Sequence, residues 1–302
     1  MQNYYVAIKL EPGAIGVPDV TVTGAAKIRL NEFTAPELAR ALITPGEVKS
    51  NGQSARGRPG THEARGTLPA DLYYGEHDPY LEAAMRGTWA SDVLVPGTTR
   101  RSYTIETYEQ DIDVSVLTKG WRFGGFRISG APDEPVRIEY PGMGITQSVL
   151  ASGSSPFYTT PSLTTTDYMD TLSCVIEVDG SPVLDLTSFD FTWDLGLSVA
   201  KVVGSPYSPD VYDNNGTLAG TLTALRSSAA RQSAYIAGTD FDCVITAEDP
   251  AGNQMVFTFK NLLATGFTLP LGNAGPPVST LPVVGGQVGT DNMVEIERAP
   301  AA

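Results

Sequence analysis

An all-β chain with a short flanking helix is what this sequence predicts, on three observations. Short runs rich in Val, Ile, Thr and aromatic residues are bounded by turn residues, with 31 Gly and 22 Pro among 302 residues. The stretch Leu186 to Leu195 alternates without interruption. Phe189, Phe191, Trp193 and Leu195 share one face, and Ser188, Asp190, Thr192 and Asp194 share the other. One face is therefore buried and the other wet and acidic. Finally, Asp179-Gly180 separates two apolar runs and reads as the tight turn of a hairpin.

In chain order, residues 1–40 read as an N-terminal extension with one strand, Ala25 to Leu30, ahead of a main domain over 41–302. Pro45 to Gly66 reads as a long, flexible, basic loop, with Lys49, Arg56, Arg58 and Arg65 set against Glu47 and Glu63. The helix follows. Asp78 suits its N-cap and Pro79 its first position. Tyr80, Leu81, Ala84 and Met85 fall on one helical face. Gly87 suits a left-handed C-terminal cap, and Trp89 is placed to pack back on the core.

Strands are expected at Arg101 to Asp111, Gly120 to Ser129 and Glu134 to Tyr140, with residues 142–170 as a Ser/Thr/Gly-rich loop. The Asp179-Gly180 hairpin joins Cys174 to Val178 and Val183 to Asp194. Thr217 to Leu225 is a further strand, and Ser227 to Ile236 a second short helix. Phe241 to Ala247 and Met255 to Lys260 flank a hairpin loop at Asp249 to Asn253. Leu281 to Gln287 and Asn292 to Arg298 close the chain. No period of 20–50 residues is evident, which excludes a solenoid or propeller.

The formal charge is −14, which argues against a general nucleic-acid-binding surface. The imbalance is uneven: residues 1–150 carry 15 Lys/Arg and 18 Asp/Glu, whereas residues 151–302 carry 5 and 16. No signal peptide or membrane span is read, so a chain made in a cytosol is expected. Cys174 and Cys243 read as buried free thiols, with a disulfide left open.

Catalytic chemistry finds little purchase. His62 and His77 are the only histidines, and neither has metal-ligand spacing. There is no nucleophile elbow, phosphate-binding loop or zinc protease motif. No pair of carboxylates is set apart as in a glycosidase. Asp210, Asp213 and Asn214 lack EF-hand spacing and read as a solvated turn. No enzyme activity, cofactor or metal is expected. Opposite charges on one chain, the basic loop and the acidic second half, suit head-to-tail self-association.

One run of residues carries a family likeness. A Gly-rich loop and a strand lead into a helix ending in Gly87-Thr88-Trp89, then the strand Arg101-Ser102-Tyr103-Thr104-Ile105-Glu106. This resembles the tail tube (major tail) proteins of long-tailed bacteriophages, and is closer in wording to the non-contractile, siphovirus-like type. The likeness continues through the Ser/Thr-rich stretch to Tyr168, the Asp179-Gly180 hairpin, and Thr217 to Leu225, covering about residues 40–298.

The resemblance implies a β-sandwich or partly closed barrel with a flanking helix. It implies six copies in a ring whose inner sheets join into one barrel, and rings stacked into a hollow tube. Its partners would be further copies, a tape-measure protein, and terminator and baseplate proteins. Genome DNA would pass through without specific binding, and no membrane would be involved. The protein would reside in the virion after synthesis in the bacterial host cytoplasm. On this reading Asp190 and Asp194, with Glu106 and Glu177 behind them, are candidates for an acidic lumen lining that repels phosphates. Lys49, Arg56, Arg58 and Arg65 are candidates for inter-ring contact. The competing reading is a carbohydrate-binding adhesin, with Tyr73, Tyr74 and Tyr80 as an aromatic cluster.

Overall fold

The computed structural model describes residues 3–31, 35–47, 51–226, 229–269 and 277–301. Strands β1 (Tyr4–Leu10), β2 (Ala26–Ile28), β3 (Glu37–Ile43) and β4 (Arg58–Asp71) precede helix α1 (Asp78–Met85). Next come β5 (Val93–Leu94), β6 (Tyr103–Glu109), β7 (Val114–Phe123), β8 (Gly125–Gly130), β9 (Arg137–Gly144) and β10 (Thr146–Leu150). The second half begins with β11 (Val175–Val178), β12 (Ser181–Pro182), β13 (Leu186–Asp194), β14 (Ser198–Val199), β15 (Val211–Tyr212) and β16 (Thr217–Leu225). Helix α2 (Ala230–Ala237) is followed by β17 (Phe241–Glu248), β18 (Gln254–Ala264), β19 (Val278–Gly285) and β20 (Val294–Ala299).

Apart from the separate β14–β15 pair, the named strands form one antiparallel sheet folded into three layers, with β12 flanking β11 and the end of β18 pairing with β19 to join back and front. A front layer runs β3-β4-β9-β8-β13-β16-β19. A back layer runs β11-β17-β18-β20-β5. The third runs β2-β1-β6-β7-β10. β7 bends from the third layer into the front one, where Arg122 and Phe123 pair with Met143 and Gly142.

Inward side chains of the front and back layers interdigitate as in a sandwich. Phe191 of β13 stacks on Phe259 of β18 with ring centroids 4.2 Å apart, and Phe126 meets Phe257 at 6.1 Å. Helix α1 lies against β7 and β8, with Tyr80, Leu81, Ala83, Ala84 and Met85 buried. Trp193 Nε1 of β13 donates to the Ala84 carbonyl at 3.2 Å.

Several expectations need correction. The first 40 residues are no separate extension: β1 pairs along its length with β6, and Val6, Ala7 and Ile8 are buried. Gly120 to Ser129 is two strands, broken at Gly124 between β7 and β8. The 142–170 stretch yields the end of β9 and all of β10 before it becomes irregular. Cys174 and Cys243, by contrast, are free thiols as expected, with Cys174 only half-buried, and burial pushes both up to about 12.

The ends of α1 differ from expectation too. His77 occupies the N-cap position, Asp78 lies inside the first turn, and no side chain caps the helix. The left-handed residue is Arg86, at φ 54°. Gly87 is required for a different reason: a Cβ there would stand 2.2 Å from the Val95 carbonyl oxygen.

Residues 151–174 follow a path with little regular pairing, yet they are tied down along their length. The amides of Phe157 and Tyr158 donate to the Glu106 carboxylate at 2.6 and 2.8 Å. Ser162 N donates to Ala25 O at 2.9 Å, Arg29 reaches Thr164 and Thr166, and Met169 N donates to Leu72 O at 2.9 Å.

Candidate assembly surfaces

β4 is longer than its neighbour on the sheet. Ala64 to Asp71 pairs with β9, whereas Arg58 and Pro59 pair with β3 alone and His62 also bridges Tyr207. The β3–β4 hairpin therefore stands out as an arm beyond the end of β9. The basic segment expected as loop from Pro45 to Gly66 is thus strand from Arg58 onward. Its Gly, Pro and Arg content conceals a pairing that only β3 supplies. Arg56 and Arg58 are exposed, and Arg65 is ion-paired with Glu63 on its own strand. Lys49 lies outside the described residues. The arm also exposes Leu42 and Ile43, at 69% and 61%. Its base is held where His62 N donates to Pro206 O at 2.9 Å.

Unpaired backbone along an edge strand is a template for another strand. Among the described residues β3 and β10 each have one side without a partner strand, whereas the outer side of β2 is bonded to Ser162.

The acidic candidates do not share one surface. On the outer face of the front layer, register rows run Asp71, Arg137, Ser129, Asp190 and, alongside, Glu139, Arg127, Thr192. Arg127 Nε donates to both Asp190 oxygens at 3.0 Å, and Arg127 also bonds Glu139 at 3.4 Å. The hydrogen bond to Asp190 is the main reason the Arg127 pKa is raised. Asp190 is thus charge-paired, whereas Asp194 is exposed and accepts Gly196 N at 2.9 Å.

Glu177 lies on β11, between Val244 and Pro182 in register, on the outer face of the back layer. The sandwich separates it from Asp190 and Asp194, so these three cannot line one channel from the same copy. Glu106 is fully buried and receives Ser115 Oγ at 2.6 Å besides the two amides already described. It is an internal anchor, and its place as a lining candidate is corrected on that ground. Strand alternation puts Glu106 on the polar face of β6, but the 151–174 segment covers that face.

The helix residues act as a hub. Arg298 of β20 pairs with Asp78, bonds Asp92 at 2.8 Å, and lies 4.8 Å from the Trp89 ring centroid. Trp89 packs against the core, and its Nε1 donates to Asp78 O at 3.2 Å. Burial pushes the Asp78 carboxyl up despite Arg298. Pro79 falls within the first turn of the helix, and its carbonyl accepts Tyr103 Oη at 2.9 Å.

A charge cluster escaped the sequence reading. Asp213 pairs with Arg86 at 2.9 Å and Arg100 at 3.1 Å, and Asp210 with Arg100 at 3.2 Å and Arg122 at 2.9 Å. The expected solvated turn is instead pinned to α1 and β7. No local pattern announces arginines so distant in sequence. The tyrosines of the adhesin reading do not gather into an exposed platform either. Tyr80 is buried, and Tyr73 is covered by the Arg29 guanidinium 3.4 Å from its ring centroid.

A projecting arm, strand edges at β3 and β10 and a sheet with a polar outer face are the surfaces this all-β protein offers for assembly. No helix among the described residues is long and apolar enough to cross a membrane. No curated protein matches the chain. The phage tail tube protein family matches residues 6–295, and the chain belongs to that family. It is therefore a structural tail protein of the virion, with self-assembly into a tube as the family's role. The match begins at residue 6, which takes in the β1 strand expected to lie outside it.

Proposed function

We propose that this chain assembles into six-membered rings that stack into the hollow tube of a long, non-contractile phage tail. The tube is the conduit through which the genome leaves, and the tape-measure, terminator and baseplate proteins are its partners during assembly in the host cytoplasm. The observation that carries this reading is the β3–β4 arm, held beyond the sheet edge with Leu42, Ile43, Arg56 and Arg58 exposed. The arm is tied to its own copy at its base, where His62 bonds Pro206 and Thr146, and these four side chains stay exposed beyond that tie. Strand edges joined between copies remove sticky backbone and close a barrel.

The outer face of the front layer is the surface we assign to the lumen. Asp71, Glu139, Asp190 and Asp194 outnumber Arg127 and Arg137 there, which leaves a net negative wall. Phosphates slide past such a wall because no array of free cations holds them. The inter-ring role falls to Arg56 and Arg58, with Lys49 and Arg65 contributing.

Negative-stain electron microscopy of the concentrated, purified protein tests the reading. Hollow tubes with a regular axial repeat are expected. Discrete compact oligomers that bind glycans would overturn it in favour of an adhesin. Reversing both charges with Arg56→Glu and Arg58→Glu should shorten the tubes or make them salt-sensitive.

A further inference from the structure

One apolar surface is left open among the described residues. Helix α2 roofs a cavity of about 130 Å³ floored by Val183, Leu186, Leu222, Phe241 and Leu281. Asp179 and Asp240 stand at its rim, and its lining cation, Arg231, is bonded to Asp185. No residue of α2 is buried, Ile236 is 75% exposed, and Leu184 next to the groove is 95% exposed.

Strand directions fix where this groove lies relative to the arm. β4 runs inward from the arm to Asp71, and Asp71 pairs with Arg137 at the start of β9. Arg137 pairs with Ser129 near the end of β8, Gly130 with Phe189 of β13, and Leu186 with Ala224 of β16. Ala224 in turn pairs with Ser279 of β19. The groove residues therefore sit at the end of the front layer opposite to the arm. Each copy carries an apolar, basic projection at one end and an apolar, acid-rimmed recess at the other. Two different patches at opposite ends make a contact that repeats without closing on itself.

We infer that the groove under α2 receives the β3–β4 arm of a second copy. Leu42 and Ile43 enter over Val183 and Leu186, while Arg56 and Arg58 face Asp179 and Asp240. The inference rests on the self-assembly reading and names the acceptor that the arm needs. Charge complementarity sets the direction and apolar burial the strength.

Cross-linking between copies tests it. With Cys174→Ser removing the half-buried thiol, Ile43→Cys and Ala234→Cys variants are mixed under assembling conditions and treated with a bis-maleimide. A covalent dimer is expected from the mixture only, and its loss on dilution below the assembly concentration. A second measurement guards against a poorly folding variant. Arg56→Glu/Arg58→Glu and Asp179→Lys/Asp240→Lys should each pellet at least tenfold less polymer alone, and recover when mixed. Tubes that form normally without the cross-link or the recovery would overturn the acceptor and leave the tube reading standing. Wild-type protein that never pellets, at any concentration, would overturn the tube reading and this inference with it.

Discussion

Helices α1 and α2 are both eight residues long and both lie against the same sheet system, yet one is buried and the other is not. Helix α1 packs Tyr80, Leu81, Ala83, Ala84 and Met85 into the core. Helix α2 buries none of its residues and is held by Arg231 on Asp185, by Arg226 on Gln232 at 3.0 Å, and by Tyr235 stacked on Phe267 with ring centroids 6.4 Å apart. Eight residues are too few for a stable isolated helix in water. Packing supplies what α1 lacks in length. Among the described residues α2 gains no such cover, which is the contrast that makes the first helix architecture and the second the place where we infer an interface.

The comparison can be broken most directly at Tyr80. Tyr80→Ala removes a fully buried ring packed on Phe123 and Tyr140. Urea unfolding should show a loss of about 3–5 kcal/mol. A loss below about 1 kcal/mol would mean α1 is no more anchored than α2.

Next in size is the acid response of the α1 N-terminus. His77 is fully buried beside Tyr73 and Tyr140, with Nε2 donating to the Asp71 carbonyl at 2.9 Å. Burial lowers its pKa from 6.5 to about 4. The folded chain keeps it neutral while the unfolded chain protonates it. Stability is therefore complete above pH 6.5 and declines as pH falls to about 4, by roughly 3 kcal/mol. Chemical unfolding at a series of pH values should show this decline, and His77→Gln should flatten it.

Gly87→Ala should cost about 2 kcal/mol, since its Cβ would meet the Val95 carbonyl, and thermal melting would register it. The smallest effect is expected in α2. Ile236→Ala should alter the stability of the unassembled chain by less than about 0.5 kcal/mol, because the side chain is exposed. Its effect should appear in the pelleted polymer instead. A large change in the isolated chain would erase the contrast between the helices.

Local signals made much of the fold legible. Thr217 to Leu225 is a strand over the same residues, and Asp179-Gly180 forms its turn with φ of 48° and 69°. The alternation in β13 buries Phe189, Phe191, Trp193 and Leu195 as expected. These features depend on neighbours one or two residues away.

What escaped depends on distant partners. Glu106 looked wet because Phe157 and Tyr158, which cover it, lie some fifty residues later. Asp190 looked unpaired because Arg127 belongs to another strand. The arm looked like a loop because Gly57, Pro59 and Gly60 disfavour a strand until β3 pairs with it. Arg86, with no special sequence signal, takes the left-handed position that the sequence pattern assigns to Gly87. The family likeness was legible in Gly87-Thr88-Trp89 and the strand after it, although its start was set too late in the chain.

The 151–174 segment has a mechanical consequence. By bonding Glu106 in the third layer, Leu72 beside the front layer and Arg29 between them, it acts as a lashing that adds to the β7 ladder already joining those layers. In the tube we propose, a wall built from such lashed bodies would yield at the joints between copies before it yields within one. A tail of this construction would curve as a chain of stiff links.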